Sequence, residues 1–335
     1  MVGCEPRRES AAWLVMPALL MAASPAGRSA ESGVNLNPAA WGSDHVGRPV
    51  PEYITGDECL FCHRITIGPG WAINRHQSTV RPITLEPEVL AWVKTSDSLE
   101  SFAPEIEFVL GRSNQMRLLK RAKAYGQLEL LSASIQPARS GGKPRLTATG
   151  ASHWEAHTFG TQCAGCHATG IDARTGTFSA ISIECFSCHG NADLSHTKDT
   201  TKILLARKRR DPARVVASIC ASCHIRSGRS QSNARTFPNN FVPGDNLFRD
   251  FEVDFSEAAL KKATPSDRHV LQNVGDVVVR GREDLTCLSC HSVHRGSSER
   301  HQNQPRGEIC WNCHQRDSET LTLDWPGRHS RVCEY

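Results

Sequence analysis

Between residues 104 and 135 the apolar positions fall in three short runs, Ile106 to Leu110, Met116 to Leu119 and Leu128 to Ile135, punctuated by Gly111 and Gly126. Runs of that length bounded by glycine predict a small β-meander. Elsewhere the pattern is weak. Residues 31–52, rich in Pro, Gly and Asn, read as an irregular lead-in, and 138–150 as a Gly/Pro/Ser/Thr loop. Residues 228–285 are polar and broken by Pro and Gly, with helix signals only around 255–263. Near the start, Arg7 and Arg8 precede an apolar stretch from Ala11 to Ala23, followed by small residues that include Ser24 and Ala26. This reads as a secretory signal over residues 1–26, too short to span a bilayer and interrupted by Pro17. An uncleaved anchor is the other reading. The expectation is an exported chain, periplasmic or cell-surface, with no transmembrane segment after the signal.

Composition sharpens this picture. A length of 335 residues allows one large domain or two ordinary ones. Hydrophobic residues make up 39% and aromatics 6%, so side chains alone supply a lean core. There are 14 Cys, and twelve of them form six pairs of identical spacing, each followed by His. The motifs are Cys59-Cys62-His63, Cys163-Cys166-His167, Cys185-Cys188-His189, Cys220-Cys223-His224, Cys287-Cys290-His291 and Cys310-Cys313-His314.

C-x-x-C-H is the attachment signature for c-type haem. Its two thiols add to the two vinyl groups of one haem, and the adjacent His is carried over the iron as proximal axial ligand. Zinc sites also use C-x-x-C pairs, but nothing in a tetrahedral sulfur site requires His directly after the second Cys. With 15 His in the chain, six such followers by chance would be on the order of one in a hundred million. Disulfide oxidoreductases carry one such pair, not six. Six covalently attached c-type haems are therefore expected, and their bulk supplies the missing core volume.

The second axial ligands must come from the nine other histidines: His45, His76, His153, His157, His196, His269, His294, His301 and His329. Of the four Met, three lie in the signal, leaving Met116. Bis-histidine ligation is the resulting expectation. Two imidazoles saturate the iron and give low-potential haems that pass electrons without binding substrate. His196 and His294 sit too close to their own motifs to reach round the haem, so each should reach a neighbour's iron. His76 lies behind the first motif. His153 and His157 would share a face if helical, and His157 is taken as the ligand of the two. His269 and His329 complete the set, with His45 and His301 spare.

Charge adds little. The formal net charge is +4, but haem propionates would bring the loaded protein to roughly −2 oxidised or −8 reduced. No nucleic-acid partner is implied. The run Arg207 to Arg210 reads as a solvated surface segment.

The elements Cys59-Leu60-Phe61-Cys62-His63 with Trp71 and His76, Cys163 to Gly170, Cys185 to Gly190 with His196, and Cys287 to His294 resemble multihaem cytochromes. They are similar to those related to the tetrahaem cytochrome of bacterial ammonia oxidation. The resemblance covers roughly 55–335, and the chain departs from it in having six motifs instead of four. It implies closely stacked haem pairs, bis-His ligation with an occasional open site, and electron transfer.

The expected fold is mainly short α-helices and long loops organised around covalently bound haems, with a small β-meander insertion near 104–135. The divisions are a signal at 1–26, an N-terminal haem segment at 27–103 and the β insertion at 104–150. A three-haem cluster at 151–235 and a two-haem segment at 236–335 follow. Electron transfer between redox proteins or quinol-linked donors is the expected role. The alternative is an oxidoreductase acting on a small nitrogen or sulfur species at one open haem. Neither a C-x-x-C-K motif nor a tyrosine-rich site marks such a haem, since only Tyr53, Tyr125 and Tyr335 are present. The closing Cys333-Glu334-Tyr335 reads as the start of a seventh motif in a truncated chain, the other reading being a true terminus with a free or dimer-forming thiol.

Overall fold

The alternating runs fold as antiparallel strands. A computed structural model describes residues 56–294, apart from 113, 138–143, 173–174, 191, 193, 233 and 237–240. The signal, His45, His301, the sixth motif, His329 and Cys333 lie outside the described residues. Two short helices, α1 (Gly56–His63) and α2 (Gly68–Ala72), lead into the sheet. Its strands are β1 (Val80–Pro82), β2 (Phe108–Leu110), β3 (Met116–Arg121), β4 (Leu128–Gln136), β5 (Arg145–Thr147) and β6 (Trp154–Glu155). They pair in the order β1-β2-β3-β4-β5, with β6 also on β4. β4 is thus shared: Leu130 and Leu131 face β6, and Ser134 to Gln136 face β5. The expected meander is β2 to β4, and the sheet extends past it on both sides.

Both faces of this sheet are covered, which explains the continuous apolar runs. Leu119 and Leu130 point to one face, where Phe159, Ala164 and Phe178 pack. Their neighbours Leu118 and Leu131 point to the other, where α3 (Pro87–Lys94) supplies Val93. All four leucines are fully buried, each contributing roughly 1.5–3 kcal/mol. Met116 is buried in the second of these cores, so it sits in hydrophobic packing rather than beside a motif.

The first face carries a motif. After a wide turn at Phe159–Cys163, α4 (Ala164–His167) runs directly into the hairpin β7 (Ala168–Asp172) and β8 (Thr177–Ile181). Ser182 follows with φ 66°, in the left-handed region. Its hydroxyl accepts from Val80 N and donates to Val80 O, both at 3.0 Å, tying the hairpin to β1. Gly170, also left-handed at φ +67°, leaves no room: a Cβ there would lie 2.8 Å from Ser179 Cβ. Gly170→Ala is expected to cost roughly 2–4 kcal/mol through backbone strain and overpacking. Thermal denaturation followed by far-UV circular dichroism measures it, and an unchanged midpoint would contradict the packing described.

The remaining elements are helical apart from a small pair of strands. α5 (Phe186–His189) and α6 (Ala213–His224) precede β9 (Arg229–Ser230) and β10 (Phe251–Glu252), then α7 (Glu257–Lys262), α8 (Pro265–Val278) and α9 (Cys287–Cys290). The sequence reading of helix only around 255–263 captured α7 and missed α8. The missed helix is capped by Thr264, whose hydroxyl accepts from Asp267 N at 3.3 Å and donates to its carboxylate at 2.7 Å. It buries only a narrow stripe, Leu271, Val274 and Val277, so its apolar pattern is thin. Gly275 lets it approach Phe255, 3.2 Å from where a Cβ would stand. The basic run 207–210 is mostly exposed, with Arg209 paired to Asp211 at 2.6 Å.

Candidate haem-binding sites

Each described attachment motif ends a short helix or forms one. Motif 59–63 closes α1, 163–167 spans the entry to α4 and its end, 185–189 makes α5, 220–224 closes α6, and 287–290 is α9 with His291 after it. One helical turn places both thiols on one side and hands the following imidazole to the same pocket. None of the ten described motif cysteines is in a disulfide.

Four of the five described motif histidines face another imidazole. His63 stacks with His196 at 6.2 Å between ring centroids and 22° between planes. His224 meets His76 at 6.1 Å, His189 meets His294 at 5.6 Å, and His291 meets His269 at 6.4 Å. An imidazole nitrogen holds a first-row metal at about 2 Å. Adding the distance from that nitrogen to its own ring centre places two trans imidazoles about 6 Å apart. The three pairs at 6.1, 6.2 and 6.4 Å therefore leave room for one iron between their rings. The 189–294 pair is the tightest, with Nε2 atoms 3.4 Å apart, and the rings would separate slightly to admit a metal.

Two of the rings are held by their second nitrogens as ligation requires. His189 Nδ1 donates to Leu204 O at 2.6 Å, leaving Nε2 to face His294. His76 Nδ1 lies 3.2 Å from Asn74 Oδ1, which also accepts from His76 N at 2.9 Å. Asn74 is itself fully buried and its amide donates to Val293 O, beside His294. Partners of this kind fix ring orientation around a metal. Burial is the chief reason that His189 and His294 stay below the ordinary imidazole range, and it brings His167 down to about 4. These rings are held neutral, the form that binds iron.

The sequence placed His76 behind the first motif, whereas the fold turns it toward His224. His196 and His294 do reach motifs other than those they follow. His157 is exposed in the turn before Cys163, where its carbonyl accepts from Thr161 Oγ1 at 2.9 Å. His153 is exposed too, with Nδ1 3.1 Å from Ala151 O. The two do not share a helical face, because Trp154 and Glu155 between them form β6. His167 Nδ1 is buried without a hydrogen-bond partner among the described residues.

The motifs also touch one another. Cys166 Sγ donates to Ser222 O at 3.8 Å, and Cys223 Sγ donates to Gly165 O at 3.6 Å. The Cys59 thiol meets that of Cys185, Cys166 that of Cys223, and Cys220 that of Cys287. Burial pushes the Cys188 thiol up to about 12. Around the first motif, Phe61, Ile65 and Ile73 are largely exposed at 89%, 84% and 72%, apolar surface that a porphyrin would cover. Paired neutral imidazoles, adjacent cysteine pairs and this uncovered apolar rim all fit c-type haem.

Such a donor set is that of the multihaem c-type cytochromes, which the chain resembles. A family model described as a doubled CXXCH motif matches residues 278–319. Among solved structures, the undecahaem cytochrome from the S-layer of Carboxydothermus ferrireducens is similar at 18% identity and a TM-score of 0.44. The match covers 82% of this chain and 45% of that one, so the chain spans less than half of that structure's length. No curated protein matches the chain. The doubled motif supports covalently bound c-type haem. Among the described residues, no helix is long and apolar enough to cross a membrane.

Proposed function

We propose that the protein is an exported hexahaem cytochrome that relays electrons between redox partners through bis-His haems. The four facing imidazole pairs carry this reading. On this reading His196 serves the iron of His63, His76 that of His224, His294 that of His189 and His269 that of His291. His157 is assigned to His167, in whose approach turn it lies, and His329 to His314. When bound, each haem supplies a one-electron Fe(III)/Fe(II) couple. The chain's own contribution would be to offer an imidazole on each side of the iron, hold the His189 and His76 rings by their second nitrogens and keep the cysteine pairs adjacent. An iron closed on both faces exchanges electrons and has no position for substrate. The narrower likeness to cytochromes of ammonia oxidation rests on the motif spellings alone.

Electron paramagnetic resonance with near-infrared magnetic circular dichroism of the oxidised holoprotein tests this. Low-spin bis-imidazole signals from every haem are expected. A high-spin ferric signal that responds to cyanide or nitrite would instead favour an oxidoreductase with one open iron.

A further inference from the structure

Three attachment helices meet on one. α6 packs against α4, α5 and α9, which carry motifs 163–167, 185–189 and 287–291. The thiols follow the helices. The Cys166–Ser222 and Cys223–Gly165 contacts at 3.8 and 3.6 Å join motifs 163–167 and 220–224 reciprocally. At the other end of the pair, Cys220 meets Cys287, while α5, which carries Cys188, packs on α6. Cys59, on α1, meets Cys185. Helices in this kind of contact bring the groups bonded to their cysteines into contact as well.

From this packing we propose that the haem on Cys220 and Cys223 is the junction of a branched relay. It borders the haems of motifs 163–167, 185–189 and 287–291, and the haem of motif 59–63 joins through that of 185–189. The inference rests on the ligation assigned above. One electron enters from a reduced redox protein, which is oxidised by one electron, and one leaves to an oxidised acceptor. An electron that arrives through the haems of motifs 59–63 and 185–189 would find two onward arms, toward motif 163–167 and toward motif 287–291.

A reduced haem carries one more negative charge and makes each neighbour harder to reduce, most strongly the nearest. Neighbours can thus be counted. In a stepwise redox titration of the unmodified holoprotein followed by haem methyl NMR, one haem is expected to shift the midpoints of three others. His76→Met, which raises the midpoint of the junction haem by axial substitution, should bring those three shifts into the first reduction step. His196→Met, acting on the haem of motif 59–63, should bring one. A linear pattern, in which no haem couples to three others, overturns the junction and leaves the ligation intact. A folded variant whose midpoint does not move overturns the ligation instead, and the coupling count in the unmodified protein still decides the junction.

Discussion

Replacing Cys220 and Cys223 together with alanine is expected to abolish recovery of folded holoprotein, rather than yield a protein short of one haem. α6 buries Val216, Ala217, Ile219 and Ala221 and packs against α4, α5, α8 and α9, so a haem attached to it would fill space that four other helices border. A void of several hundred Å³ at about 24 cal/mol per Å³ costs on the order of 10 kcal/mol. That matches the whole stability of an ordinary domain, about 5–15 kcal/mol. On the proposed ligation, His76 would also lose the iron it shares with His224. Haem staining of the soluble fraction, normalised to expressed chain, should fall at least tenfold. Normal recovery of a protease-resistant protein lacking one haem would show that α6 does not depend on its cofactor.

His196→Ala is expected to open one iron and raise its midpoint. The ring of His196 lies 6.2 Å from that of His63 and nearly parallel to it, and alanine leaves nothing of its length to replace it. The haem of motif 59–63 should become high-spin, bind cyanide and shift upward by on the order of 0.1 V, within the roughly 0.8 V that axial ligands span. His153→Ala provides the contrast, because that ring is exposed and held to Ala151 O. It should leave every spectrum unchanged. Equal spectra for the two variants would remove His196 from the ligand set.

The attachment chemistry was legible because it is local: two thiols and an imidazole within five residues act on one group, so the spacing itself carries the information. The meander was legible for a similar reason, since Gly111 and Gly126 separate runs that each complete a strand. Pairing of the second histidines was not legible. His76 follows the first motif in sequence, but Asn74, bonded to Val293 O, turns that segment toward α6. Long-range packing makes that choice, and spacing along the chain does not encode it. α8 escaped notice because three residues on one stripe suffice to seat it, while Asn273, Gly275 and Asp276 dilute the periodicity. The stretch His153 to His157 has helical spacing, but pairing of Trp154 with Leu131 makes it a strand. Here tertiary context overrode a local pattern.

The imidazole pairs are interlaced along the chain, with His189 and His294 lying 105 positions apart. On the proposed ligation, no growing or exported chain can finish its sites in the order in which they emerge. The third motif can receive haem early, yet its iron stays half-dressed until residue 294 arrives. Maturation then resembles lacing rather than beading: the first motifs are loaded loosely, and the later segments draw them tight. A defect late in the chain would therefore surface as an ill-formed centre near its beginning.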